Sequence, residues 1–138
     1  MQAREFPPIG KKSPALRVLV VDDEPLIRWS LTETLSDCGH HVTETGDART
    51  AREAICDASR AFDVVLLDYR LPDSEDLSLL AWIRALAPEA RVILMTAFGS
   101  PEVVRGALDL DVFRVIGKPF ELDEMADLVA EAGAAPFD

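Results

Sequence analysis

Short unbroken apolar runs alternate along this chain with longer stretches in which apolar residues return every three or four positions. Val18–Val21, Val64–Leu67 and Arg91–Met95 are runs of the first kind, and such runs predict strands buried on both faces of a sheet. His41–Thr45 and Val112–Ile116 read as two further strands. Between them the period lengthens. A helix is expected from Pro25, with Ile27, Leu31, Leu35 and Cys38 inward and Gly39 ending it. Asp47 can cap a second helix with Ala48, Ala51, Ile55 and Ala58 on its inner face. After a loop from Tyr69 to Glu75 comes a third, with Leu79, Leu80, Ile83 and Leu86 inward. A fourth opens at Pro101, with Val104, Ala107 and Leu108 inward. The last runs from about Glu121, with Leu122, Met125, Leu128 and Val129 inward. Strand and helix thus alternate five times. This predicts an α/β protein with a parallel sheet, doubly wound by right-handed crossovers and covered by helices on both faces.

Residues 1–15 hold three prolines, two lysines and a glycine and read as a flexible lead-in, 16–132 as one domain and 133–138 as a tail. The formal net charge of −11 opposes phosphate backbones and anionic lipid, so no direct nucleic-acid or membrane binding by this chain is expected. No apolar stretch approaches the ~20 residues of a membrane-spanning helix, and the N-terminus lacks the apolar segment of a secretory signal. A cytoplasmic protein is the expectation. Cys38 and Cys56 form no zinc or redox spacing and are expected as small buried side chains. His40 and His41 are expected to pack at a surface or edge, and Trp29 and Trp82 to pack on helices.

In a doubly wound sheet, ligands bind at the carboxyl ends of the strands. The first strand delivers Asp22, Asp23 and Glu24 there, the third Asp68, the fourth Thr96 and the fifth Lys118. Any one of these residues alone is a common turn or cap residue; together, from four separate strands, they form a constellation. Crowded carboxylates raise one another's pKa, and a divalent cation relieves the repulsion. Magnesium takes oxygen ligands, often one or two carboxylates with waters and phosphate. Lys118 supplies a positive point charge for phosphate oxygens, and Thr96 a hydroxyl donor. Asp68 in these surroundings suits a nucleophile on phosphorus.

The segments VLVVDDEPLIR (18–28), VVLLDYRLPD (64–73), VILMTAFGS (92–100) and IGKPF (116–120) resemble the receiver domains of bacterial two-component response regulators. The resemblance covers about residues 16–132, and MTAFGS with LDYRLPD is similar to the nitrogen-regulation type of enhancer-binding activator. It implies a flavodoxin-like (βα)5 sandwich with strand order 2-1-3-4-5, and a signalling module in place of a turnover enzyme. Asp68 would be the phosphoacceptor. Asp22, Asp23 and Asp68, with the backbone carbonyl of Arg70, would hold Mg2+. Thr96 would be the switch hydroxyl and Lys118 the phosphate-pairing lysine, its bond to Pro119 cis. A histidine kinase or phosphotransfer protein would supply the phosphoryl group. The fourth helix, fifth strand and fifth helix would form the readout face, on which two receivers can pair. Whether the chain stands alone or is the N-terminal receiver portion of a larger transcriptional regulator stays open.

Three positions depart from the family pattern. Val115 replaces the usual aromatic three residues before the lysine, and Phe113, on the same strand face by alternation, is the candidate to replace it. Asp76 stands where the loop after the phosphoacceptor usually has glycine, and Asp111-Val112 where Gly-Ala precedes the last strand. Arg70 and Phe98 occupy the positions that flank the path of water to the phosphorylated aspartate, and a bulky Phe98 is expected to lengthen the phosphorylated state. Two other classes fit poorly. A haloacid-dehalogenase-like phosphatase would need Asp-x-Asp after the first strand, and a flavin-binding flavodoxin a hydroxyl- and glycine-rich phosphate loop in place of Asp22-Asp23-Glu24.

Overall fold

The structure is a computed structural model that describes residues 15–97 and 99–135; most of the expected lead-in, Phe98 and the last three residues of the expected tail lie outside the described residues. Five strands and five helices alternate as β1 (Arg17–Val21), α1 (Pro25–Asp37), β2 (His41–Thr45), α2 (Ala48–Asp57), β3 (Val64–Asp68), α3 (Ser78–Leu86), β4 (Arg91–Thr96), α4 (Pro101–Asp109), β5 (Arg114–Gly117) and α5 (Leu122–Ala134). All pairings are parallel and the strand order is β2-β1-β3-β4-β5. The order reverses direction between β1 and β3, which opens the ligand crevice at their carboxyl ends.

The two faces of the sheet carry separate cores because side chains alternate along each strand. Leu19, Val21, Val65, Leu67, Val92 and Leu94 pack with Ala48 and Ala51 of α2, Leu79, Leu80 and Ile83 of α3 and Ala107 of α4. Val18, Val20, Val64, Leu66, Ile93 and Met95 pack on the other side with Leu31 and Leu35 of α1 and Met125, Leu128 and Val129 of α5. Each fully buried side chain of this size contributes about 1.5–3 kcal/mol relative to exposure. The central strands form because only such a site buries both faces of an apolar run.

Local signals act as expected at several ends. Asp47 accepts from Thr50 N at 2.8 Å and starts α2, Pro101 opens α4 behind the Ser100 cap, and Gly39 adopts φ +95° after α1. Asp76, in the glycine position, accepts from Ser78 N at 2.9 Å and so serves the start of α3.

Other expectations are corrected. Cys38 and Cys56 are exposed. Cys38 is the residue that closes α1, beyond its buried stripe, and Cys56 lies off the face of α2 that holds Ala48 and Ala51. Leu86, the last residue of α3, Leu108 and Leu122 face solvent, since helix ends overhang the sheet they cover. Trp29 is 58% exposed, on the side of α1 away from Leu31 and Leu35. Trp82 does pack against the core, under the Arg52 guanidinium. β5 begins at Arg114, two residues later than expected, because Asp111 takes φ +61° and turns the chain before it extends. Phe113 therefore precedes the regular alternation. It packs on the α1/α5 layer while Val115 packs on the α2/α3 layer, so Phe113 does not occupy the face of the missing aromatic. His40 is largely buried, and its Nδ1 accepts from Leu16 N at 3.1 Å.

Candidate phosphoryl and metal site

Residues far apart in sequence converge at the carboxyl edge of the sheet. The β1 ladder continues one residue past the strand through Asp22 N to Thr45 O at 3.1 Å, which fixes Asp22 as the first residue of the crevice. Asp22 is fully buried, and its Oδ1 accepts from Glu24 N at 2.9 Å. This bond turns the loop so that Asp23 and Glu24 stand exposed at the rim. Asp68 ends β3, 6% exposed, and Tyr69 N bonds Met95 O at 2.8 Å just beyond it. Thr96 is buried at the end of β4, and its carbonyl accepts from Lys118 N at 2.9 Å. The Lys118-Pro119 bond is cis.

Lys118 Nζ lies 2.9 Å from Asp22 Oδ2, 3.1 Å from Asp68 Oδ2 and 3.3 Å from Glu24 Oε2. One ammonium thus faces three carboxylates. Burial alone would lower the Lys118 pKa, but Asp22 and Asp68 outweigh it and push it up to about 12. For Asp68 the balance goes the other way from an ordinary salt-bridged acid. Burial, then the charge of Asp22, raises its pKa, and Lys118 with the Arg70 N–H (3.3 Å to Oδ1) offsets this only partly.

The sequence-derived residues Asp22, Asp68, Thr96 and Lys118 are thereby brought together in the interior, with Asp23 at the mouth and Arg70 on the wall. A cavity of about 270 Å3 is lined by Asp23, Glu24, Asp68, Arg70, Ala97 and Lys118. Asp22, Asp23, Glu24 and Asp68 each offer an oxygen within 4.8 Å of the others. Asp22 Oδ2 has the Lys118 charge beside it but no aligned hydrogen bond, although it is buried. A hard divalent cation satisfies such an oxygen, and the donor set, four carboxylates, is of the type magnesium takes. The site residues therefore fit a metal.

Of three further contributors, Glu24 is placed at this edge by the sequence but given no partner, and Arg28 and Asp73 are not assigned from sequence. Glu24 is a third partner of Lys118. Arg28 Nη1 donates to Asp22 O at 2.7 Å while its Nε pairs with Glu44 at 3.3 Å. Asp73 binds the start of α2. All three lie inside the motifs quoted above, but their partners are set by tertiary packing.

The family model for the response regulator receiver domain matches residues 18–130. The chain is 33% identical over 118 residues to the DNA-binding transcriptional regulator NtrC of Azospirillum brasilense, covering 86% of this chain and 24% of that protein. It is 28% identical over 113 residues to sporulation initiation phosphotransferase F of Bacillus subtilis, covering 82% of this chain and 90% of that one. The crystal structure of the receiver domain of NtrX from Brucella abortus superposes with a TM-score of 0.77 at 35% identity, covering 86% of this chain and 99% of that one. The chain spans about a quarter of the length of NtrC. Fold, converging acids and a family match over most of the chain agree: this chain belongs to the response regulator receiver domains of two-component systems.

Proposed function

We propose that Asp68 accepts a phosphoryl group from a phosphohistidine of a histidine kinase or phosphotransfer protein, with magnesium bound, and that the acyl phosphate shifts the domain to a second conformation read by a partner. The observation that carries this reading is Asp68 itself, a buried carboxylate whose oxygen faces Lys118 Nζ at 3.1 Å across a cavity open at the sheet edge.

In the reaction an Asp68 carboxylate oxygen attacks phosphorus in line, the P–N bond to the donor imidazole breaks, and the imidazole leaves with the electron pair and takes up a proton. Magnesium, held by Asp22, Asp23, Asp68 and the Arg70 carbonyl, would neutralise charge on the transferring group. Lys118 would pair with a phosphoryl oxygen, and the Thr96 hydroxyl would bond another. Burial and the charge of Asp22 oppose ionisation of Asp68 in the metal-free chain, and a bound cation together with Lys118 would favour the ionised, nucleophilic form.

The readout we assign to the α4–β5–α5 face, through which a homodimer would form. Nucleic acid would be bound by other chains or domains: the relative NtrC is named a DNA-binding regulator, but the matched part covers 24% of it. Action as the receiver portion of a longer regulator and action as a single-domain relay both fit this chain, since phosphotransferase F is matched over 90% of its length. Among the described residues no helix is long and apolar enough to cross a membrane, and we place the activity in the cytoplasm, where kinase donors act.

The test is incubation with acetyl phosphate and magnesium, read by intact mass. The wild type should gain one phosphoryl group, and Asp68→Ala or omission of magnesium should abolish the gain. Equal modification of Asp68→Ala would refute the assignment.

A further inference from the structure

We propose that Asp73 is a positioning residue for this site: its carboxylate ties the loop that follows Asp68 to the start of α2 and thereby fixes the Arg70 carbonyl. The inference rests on the proposed function and goes beyond it. Asp73 Oδ1 accepts from Ala48 N at 2.8 Å, and Oδ2 accepts from Arg49 N at 3.1 Å. These N–H groups belong to the first turn of α2, where no intrahelical acceptor exists and the helix dipole favours a negative charge. The next one, Thr50 N, is taken by Asp47. Asp73 thus comes from a different element to complete the end of α2, using both its oxygens in charge-assisted bonds.

The stretch between Asp68 and Asp73 is held at each end. Tyr69 N bonds Met95 O at 2.8 Å on β4. Leu71 and Ser74 exchange backbone bonds at 2.8 and 3.2 Å, and Leu71 is buried in the core. Arg70 sits between these anchors. The tight Leu71–Ser74 turn encloses Asp73, so the tether to α2 restrains the whole turn. The opposite loop uses the same base. Arg28 holds Asp22 O at 2.7 Å and lies against Gly46, where a Cβ would approach its Nη1 to 3.1 Å. Gly46 thus leaves room for the arginine that holds the Asp22 side, and the Ala48 and Arg49 N–H groups hold the Arg70 side through Asp73.

The decisive comparison is magnesium affinity by isothermal titration calorimetry for the wild type, Asp73→Ala, Asp73→Asn and Asp47→Ala, well below each unfolding temperature. Loss of a residue that orients a ligand typically weakens metal binding by about tenfold or more. Asp73→Ala should weaken it by roughly tenfold, and Asp73→Asn, which keeps one acceptor oxygen, should fall between. Asp47→Ala removes a cap from the same helix without touching the loop. It should lower thermal stability and keep the wild-type affinity. Hydrogen exchange of the amides of residues 69–76, without metal, should speed up in Asp73→Ala and not in Asp47→Ala. Unchanged affinity in Asp73→Ala, or an equal loss in Asp47→Ala, would overturn this proposal alone. A wild-type chain that binds no magnesium would overturn it together with the functional reading.

Discussion

At the scale of single residues, the departures from the family pattern have different physical weights. Asp111 adopts φ +61°, a conformation that costs a residue with a Cβ about 1 kcal/mol and glycine almost nothing. Asp111→Gly should therefore stabilise the fold by roughly 0.5–1 kcal/mol, seen as a higher urea midpoint with an unchanged slope; a lower midpoint would show that the aspartate makes a compensating bond. His40 carries a different constraint. Its Nδ1 must stay unprotonated to accept the Leu16 N–H, and its pKa is lowered chiefly by burial. A lowered folded pKa means that the unfolded chain binds the proton more readily. The contribution is fully present above about pH 6.5, the unfolded value, and is lost as pH falls through the folded pKa. His40→Gln should flatten the stability–pH curve across that window in urea titrations; an unchanged slope would contradict the assignment. Neither feature is visible from the residue alone. Asp111 and His40 acquire their roles from a backbone angle and from a neighbour 24 positions away.

At the scale of elements, the contacts of α5 with the chain before β1 make the sharpest case. A Cβ on Gly133 would run into the Leu16 side chain, including its Cγ at 3.1 Å, so a rotation of the methyl ends does not clear the space. Gly133→Ala should destabilise by about 1–2 kcal/mol, although alanine is the better helix former by about 1 kcal/mol. The double variant Leu16→Ala/Gly133→Ala should recover part of the loss in a double-mutant cycle, and strict additivity would refute the contact. The strands were the most legible elements. Val18–Val21 and Val64–Leu67 are apolar throughout because both faces are buried, and a run of that kind has few other uses. Helix faces were legible at their centres, as at Leu31, Leu35, Leu79 and Ile83, and not at their ends, where Leu86, Leu108 and Leu122 overhang the sheet into water. The start of β5 differs from the expectation because apolar alternation carries no signal of a positive φ; the hint lies in Asp111 itself, an aspartate at a position where the family has glycine. The same turn put Phe113 on the wrong layer for the role that alternation suggested.

At the scale of the whole molecule, the site depends on charge brought together by the topology. Asp22, Asp68, Thr96 and Lys118 were legible once the sheet order was inferred, because strand ends are where such a fold collects its chemistry. The Lys118 pairing of Glu24, and the roles of Arg28 and Asp73, were not, because a salt bridge or helix cap between distant loops leaves no periodic trace. The collected charge has a consequence for stability. Four carboxylates share the site, so a bound cation should stabilise the fold. At a hundredfold excess over its Kd the linkage amounts to about 2.7 kcal/mol. Magnesium should thus raise Tm in the wild type and much less in Asp22→Asn/Asp23→Asn; equal shifts would place the ion elsewhere. Burial, and then the charge of Asp22, raises the pKa of Asp68 in the metal-free chain, and a bound cation favours the ionised carboxylates, so protons and metal compete for the site. Magnesium affinity should therefore weaken on acidification, checked by calorimetric titration at several pH values; an affinity independent of pH down to the carboxylate range would contradict this.

The central claim is that the phosphoryl group is carried by Asp68. Borohydride reduces an acyl phosphate to an alcohol and leaves a free carboxylate intact, so it marks the modified residue permanently. The chain is phosphorylated with acetyl phosphate and magnesium, reduced, digested and mapped by mass spectrometry. The account predicts homoserine in place of aspartate at position 68 and unmodified Asp22 and Asp23. Reduction at another acid, or none at 68 in a chain that has gained phosphate, would contradict it.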